Sequence, residues 1–303
     1  MIQLNSYFCN RISVLNWEIL QLKQLSKYNY LSSLTTFALY RLETLHNIHS
    51  KLLDRDTVVD IYLPPDYKKD ALKYPLLIIN DGQDGKAIEL KKTLESLTAS
   101  KEIECIIVVA VHAGDRMQEY GVANKPDFKK RGSKAKDYTR FIMTELIPYL
   151  EYQYSVTKDK QHRAIAGFSL GGLSALDIAW HESYFGKVGA FSGSFWWRKR
   201  DAKSRFYSDH HDRIMLQQVK KGKYKPGLKF WFQTGLKDED SDRNKNGVID
   251  SVDDTLDLIA ELTKKGYRAF HDIHYLELKD GEHNLKTWGE ALPYFLRWAF
   301  GKQ

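Results

Sequence analysis

Apolar and polar residues alternate through positions 42–50 and again through 57–63, the two-residue period of half-buried strands. The polar stretch Leu53-Asp54-Arg55-Asp56 between them predicts an antiparallel pair, and Pro64-Pro65-Asp66 ends the second strand because proline has no N–H to give a ladder. Beyond residue 74 the pattern changes. The continuous apolar run at 74–80 reads as a strand buried on both faces, 104–111 as another buried strand, and 162–168, 187–192, 228–234 and 271–278 as further strands. Between and after them, helical spacing appears at 87–99, 134–154, 170–181, 255–265 and 285–300. In 134–154 the inward stripe is Tyr138, Phe141, Ile142, Leu146 and Tyr149. This alternation predicts an α/β domain over residues 41–303: a mostly parallel sheet with antiparallel N-terminal strands and helices on both faces. In residues 1–40, Leu and aromatic residues at loosely helical spacing are interrupted by Asn16, Glu18, Gln21, Lys23 and Gln24, so this segment reads as an N-terminal extension without a well-specified structure.

Composition narrows the function classes. Against 39 acidic residues stand 46 Lys and Arg, a net charge of +7. The basic residues are scattered, and no nucleic-acid-binding motif accompanies them, so a solvated basic surface is expected and nucleic acid is not expected as a partner. The densest cluster, Lys129-Lys130-Arg131 with Lys134 and Lys136, reads as a loop before a helix. No apolar run is long enough to span a bilayer, so no membrane partner is expected. Of the two cysteines, Cys9 and Cys105, the second falls in a predicted strand, which argues against a disulfide framework. The N-terminus carries no basic-then-apolar secretory pattern, so the chain as written is expected in the cytoplasm, and export is expected instead if its start is misassigned.

The candidate chemistry begins at Gly167-Phe168-Ser169-Leu170-Gly171, a G-x-S-x-G sequence between an apolar strand and an Ala/Leu-rich helix. That context is what a strained strand-to-helix turn needs to lift a serine hydroxyl out of a sheet, as in the α/β-hydrolase fold. Ser169 is therefore the expected nucleophile. Serine needs a base, and in this fold the acid and then the histidine follow the serine along the chain. His283, on the loop between the last strand and the last helix, is the favoured base. His271 and His274 are expected on opposite faces of a strand, and His181 on the nucleophile's own helix. The acid is expected in Asp238-Glu239-Asp240 after strand 228–234; Asp238 is chosen as the first to leave the turn, with Glu239 and Asp240 open. The oxyanion donors are expected to be the N–H of Leu170 and that of Gln83, with Asp84 open for the second. Trp196 and Trp197 either wall the substrate site or cover the core edge.

A second pattern follows the acid. Residues 242–253 match a twelve-residue calcium loop, with Asp242, Asn244, Asn246, Asp250 and Asp253 at positions 1, 3, 5, 9 and 12, the carbonyl of Val248 at 7, and glycine at 6. Position 12 is Asp instead of Glu, and the upstream flank is a strand instead of a helix. A calcium ion held by Asp242, Asn244, Asn246, Val248 and Asp253 is expected, fixing the loop that carries the acid.

Together these residues resemble the esterase D-type family of esterases, which includes enterochelin esterases, S-formylglutathione hydrolases and feruloyl or acetyl-xylan esterases. The resemblance covers about residues 42–300. It rests on Val59-Asp60-Ile61-Tyr62-Leu63-Pro64-Pro65-Asp66-Tyr67, Asp81-Gly82-Gln83, Asp115-Arg116 with Glu119-Tyr120, Glu145-Leu146-Ile147-Pro148-Tyr149, Gly167-Phe168-Ser169-Leu170-Gly171-Gly172 and Ala190-Phe191-Ser192-Gly193-Ser194-Phe195-Trp196-Trp197. It implies ester hydrolysis by Ser169, Asp238 and His283 without an organic cofactor, and a small-molecule or carbohydrate ester, or a siderophore ester, as substrate. It also suggests Arg116, Tyr120 and Trp196 as lining of the substrate pocket. Acyl transfer on the same triad and a non-catalytic, calcium-stabilised binding module are the competing readings.

Overall fold

The computed structural model describes residues 39–69 and 72–302; all but the last two residues of the expected extension lie outside them. Eight strands form one sheet: β1 (Arg41–Ser50), β2 (Arg55–Leu63), β3 (Leu76–Asn80), β4 (Ile107–Val111), β5 (Arg163–Phe168), β6 (Lys187–Phe191), β7 (Lys229–Lys237) and β8 (Ile273–Glu282). Their spatial order is β1-β2-β4-β3-β5-β6-β7-β8. Pairings β1–β2 and β2–β4 are antiparallel and the rest are parallel, as the two hydrophobic patterns require. Every residue of β3, β4 and β5 is buried, which explains why they are apolar almost throughout.

The helices packed on the sheet are α1 (Leu90–Ala99), α2 (Ala135–Arg140), α3 (Ile147–Gln153), α4 (Leu170–His181), α5 (Ile214–Lys221), α6 (Asp250–Lys264) and α7 (Leu285–Phe300). The single helix expected at 134–154 is broken by a π turn, Phe141–Leu146, between α2 and α3. Pro148, in the first turn of α3, has no N–H to return to the preceding turn. The wide turn advances the register, so Ile147 and Leu150 face inward and Tyr149 is half-exposed. Helix α6 begins five residues earlier than expected, and α5 was not expected at all. His271 lies in the turn before β8, not in a strand, while His274 is in β8.

Two features of this topology create a site. The chain leaves β3 for β4 on one side and returns to β5 on the other, so the loops after β3 and β5 flank a reversal in strand order at the carboxyl ends. Strands β7 and β8 also run further than the segments 228–234 and 271–278 expected for them, to Lys237 and Glu282, which are register partners. The residues that follow, Asp238 and His283, therefore leave the sheet as neighbours. A β-bulge precedes this point, and a side chain on Gly235 would come within 2.2 Å of the Gly281 carbonyl oxygen, so only glycine permits the approach.

Candidate active site

One residue makes the turn from β5 into α4. Ser169 has φ 52° and ψ −117°, a conformation that a residue with a Cβ rarely adopts. The surrounding backbone holds it there. Its N–H donates to the Phe191 carbonyl (2.8 Å), and its own carbonyl accepts from Ser194 N–H (3.1 Å) and from Gly172 and Leu173 (3.1 Å each). A Cβ on Gly167 would lie 2.4 Å from the Gly171 carbonyl carbon, so the turn closes only because residue 167 has none. Asn80, at the end of β3, donates to the Gly171 carbonyl (2.8 Å) and accepts from the Tyr138 hydroxyl (2.6 Å), which ties the turn to α2.

His283 meets this serine. Its Nε2 is 2.9 Å from Ser169 Oγ, and its ring stands edge-on to Trp288, with centroids 5.2 Å apart. The next residue, Asn284, caps α7 by accepting from Thr287 N–H (3.0 Å), so the histidine is fixed between a strand end and a helix start. Burial lowers the His283 pKa below 6.5, the Asp238 charge opposes that by raising it, and the Arg116 charge adds to the lowering.

Asp238 is 9% exposed, and neither carboxylate oxygen makes a hydrogen bond of full geometry. Burial raises its pKa; the Gly235 backbone, the nearby Ser192 hydroxyl and the charge of His283 pull it down. The Ser192 hydroxyl itself accepts from Trp288 Nε1 (3.1 Å). Of the two other acids, Glu239 is half-buried, its pKa raised by burial and by Asp250 and lowered by the Ser251 backbone, and Asp240 is exposed. Asp238 is the one whose charge the imidazole feels.

Leu170 opens α4, so its N–H has no carbonyl four residues earlier within the helix. Gln83 sits in the one-turn 3₁₀ helix Gly82–Asp84, entered through Asp81 at φ 60°. Both Gln83 and Asp84 line the cleft that contains Ser169 and His283, together with Arg116 and Trp288, a volume of about 580 Å³. The Gln83 side chain is held by Asp81 Oδ1 (3.2 Å) and by the Ala113 N–H (3.1 Å).

Arg116 reaches the cleft, but its guanidinium is also committed behind it. It grips the buried Asp81 through two hydrogen bonds (2.8 and 3.1 Å) and donates to the Phe168 carbonyl (3.1 Å), spanning the loops after β3 and β5. Tyr120 does not line the pocket as the sequence suggested. It is 0% exposed, and its hydroxyl accepts from the Asp81 N–H (2.9 Å), because the one-turn helix Arg116–Glu119 tucks it under the loop after β3. Trp196 is likewise absent from the cleft lining: its half-buried ring is flanked by Arg131 (4.9 Å) and Arg198 (5.9 Å), and Trp197 is fully buried, its Nε1 donating to Lys125. The sequence reading missed Ser194, whose hydroxyl is 3.2 Å from Ser169 Oγ. Its signal was the Ser192-Gly193-Ser194 turn after β6, at the same sheet edge.

In the calcium-like loop three side chains meet: Asn244 Nδ2 and Asn246 Nδ2 lie 2.7 and 3.0 Å from Asp253 Oδ2. The Asp242 oxygens accept from the N–H groups of Asn246 (3.1 Å) and Gly247 (2.8 Å), and the Val248 N–H donates to Asn246 Oδ1 (2.8 Å). Asp250 is taken by Arg243, through its N–H (2.9 Å) and its guanidinium (3.2 Å). Among the described residues no group of three or more His, Cys, Asp or Glu is arranged to hold a metal; this loop's donor set is mixed, two carboxamides converging on one carboxylate.

The family model described as "Putative esterase" matches residues 50–299. The uncharacterized protein YbbA of Bacillus subtilis is 27% identical over 80% of this chain and 92% of its own length. The iron(III) enterobactin esterase of Escherichia coli is 26% identical over 55% of this chain and 39% of its own. Among solved structures, a ferulic acid esterase superposes with TM-score 0.64 at 21% identity, covering 87% of this chain and 98% of that one. The enterobactin esterase of Shigella flexneri superposes with TM-score 0.65 at 21% identity, covering 86% and 58%. The chain belongs to the Putative esterase family and is a carboxylic ester hydrolase of the α/β-hydrolase fold.

Proposed function

We propose that the protein is a serine carboxylesterase working through an acyl-enzyme, with Ser169 as nucleophile, His283 as general base and Asp238 as the acid behind the imidazole. The observation that carries this reading is the 2.9 Å contact between His283 Nε2 and the hydroxyl of a serine held at positive φ. In the first half-reaction Ser169 Oγ attacks the ester carbonyl as His283 takes its proton. The N–H groups of Leu170 and Gln83 donate to the oxyanion. The imidazolium then protonates the departing alcohol, leaving an acyl group on Ser169. In the second half-reaction His283 takes a proton from water, which attacks the acyl carbonyl, and Ser169 recovers its proton. The Asp238 carboxylate stabilises the imidazolium and holds its tautomer without itself being protonated in the cycle. Arg116 acts from behind, holding the loop that carries Gln83 against the loop that carries Ser169.

The substrate in this reading is an ester of a carbohydrate or a siderophore; the structural neighbours are named for ferulic acid and enterobactin esters. A calcium ion, held by Asp242, Asn244, Asn246, the Val248 carbonyl and Asp253, would fix the segment between Asp238 and α6. Asn244 and Asn246 turn their amide nitrogens to Asp253 here, so ligation would need their oxygens turned inward instead; what supports the assignment is the spacing of oxygen-bearing residues along 242–253, and no step of the hydrolysis uses the ion. The test is a pre-steady-state assay with p-nitrophenyl acetate: a burst of one equivalent is expected, with Ser169→Ala lacking it. A burst retained by Ser169→Ala would discard the mechanism.

A further inference from the structure

A second cavity, of about 850 Å³, lies at the opposite end of the strands. Lys187 and Lys229, the first residues of β6 and β7, are register partners and so stand side by side on one face of the sheet. His274, whose partner is Trp231, two residues along β7 from Lys229, shares that face. The end of α7 covers them with Trp298, whose ring is 5.7 Å from that of His274. Like charges on adjacent strand positions are unfavourable and call for a counter-charge. Lys187 has part of one: its ammonium donates to the Ala299 carbonyl at the end of α7 and lies 5.6 Å from the Phe300 ring. Burial and then Lys229 still push its pKa down, and burial, then Lys229, hold His274 at about 4, a neutral imidazole.

The remaining charges leave the lysine side of the cavity positive. Lys302 also lines it, and Glu104 is the acidic residue on its wall. His162 and His271, at the rim, are engaged by Asp159 (3.0 Å) and Asp272 (2.7 Å). Among the lining residues three ammonium groups face one carboxylate, with the Asp159 and Asp272 carboxylates further out on the two histidines, so the lysine side of the cavity suits an anion such as a phosphomonoester, which carries about −1.5 to −2 at neutral pH. The mouth is aromatic as well. Phe270 is 51% exposed and has φ 63°, an unusual conformation for a bulky side chain, pinned by its N–H to the Ile273 carbonyl (2.9 Å).

We propose that this cavity is a second binding site, taking a small phosphomonoester that carries a flat ring. Lys229 and Lys302 hold the phosphate, and the ring lies against Trp298 and Phe270. The hydrolytic cleft is separate: β6 runs its whole length, roughly 13 Å, from Lys187 to the strand end beside Ser169.

Isothermal titration of the full-length protein with AMP and with adenosine tests this, at fixed chloride concentration. AMP is expected to bind with a dissociation constant below about 1 mM and adenosine at least about tenfold more weakly. Lys229→Gln and the surface variant Lys302→Gln are each expected to weaken AMP at least about fivefold while p-nitrophenyl acetate turnover stays at the parent value. Ser169→Ala is expected to bind AMP like the parent. Absence of AMP binding, equal affinity for adenosine, or AMP affinity indifferent to both lysine substitutions would overturn the proposal. The Ser169→Ala binding result separates it from any failure of the hydrolytic mechanism.

Discussion

At the scale of the residue, the strain at Ser169 and the burial of its partners set measurable consequences. A conformation such as φ 52° with ψ −117° costs on the order of 1–3 kcal/mol for a residue with a Cβ and little for glycine. Ser169→Gly should therefore unfold at higher urea than Ser169→Ala, by about 1 kcal/mol, while both are inactive; equal midpoints would mean that the turn is not strained. His283 is lowered below 6.5 chiefly by burial, so its neutral, proton-accepting form persists into mildly acidic solution. The acid limb of kcat/KM should accordingly fall below pH 6.5. Because Asp238 is the group that raises His283, Asp238→Asn should move that limb to still lower pH while reducing kcat about 1,000- to 10,000-fold. The same substitution bears on stability. The folded pKa of Asp238 is raised, so folding is favoured while the carboxyl is protonated, and that contribution is lost as pH rises from 3.8 through the folded value. At pH 7 the parent carries a buried carboxylate without full hydrogen bonds, and Asp238→Asn should melt at the same or a higher temperature. A lower melting temperature at pH 7 would mean that the charge is better satisfied than its surroundings suggest.

At the scale of the element, the site depends on where segments end. The G-x-S-x-G turn was legible because its glycines have a steric purpose that sequence order states directly. Gly167→Ala puts a methyl 2.4 Å from the backbone of residue 171, and it should cost about 3 kcal/mol or more, seen as loss of soluble protein or a collapsed urea midpoint, with activity lost in step. The extensions of β7 and β8 were not legible in the same way. Of the residues they add, Leu236, Lys237, Lys279, Asp280 and Glu282 are exposed and the buried ones are glycines, Gly235 and Gly281, so burial leaves no apolar imprint on them. The position of His283 was nevertheless readable from the junction of strand and helix. Helix α5 escaped notice because its buried residues, Ile214, Met215, Leu216 and Val219, give barely two turns of period before Gly222 ends it. The assignment of Tyr120 to the pocket failed for a related reason: its neighbour Arg116 does reach the cleft, and only the one-turn helix between them sends the two side chains to different places.

At the scale of the whole molecule, the sheet order could be anticipated as a class, because alternating strands and helices leave few ways to cover both faces. The long-range charge arrangement could not, since it joins residues with no sequence relation. The buried Arg213 and the half-buried Arg243 are paired with Asp209, Asp254 and Asp257, with Asp250 beside Arg243, which locks the turn before α5 to the first turns of α6. Arg243 is the second residue of the calcium-like loop, so the loop has two anchors: this ion-pair network on one side and the meeting of Asn244, Asn246 and Asp253 on the other. If a cation occupies the second anchor it stabilises the folded chain by mass action, about 2.7 kcal/mol at one hundred times its dissociation constant. Chelation, or Asp242→Ala, should then lower the melting temperature by about 4 to 8 °C. The turnover of p-nitrophenyl acetate well below that temperature should change less than twofold, because Asp238 is held from the sheet side by the β7–β8 register as well. A melting curve unmoved by chelator and by added calcium would leave the ion pairs as the anchor of this segment and remove the metal from the description.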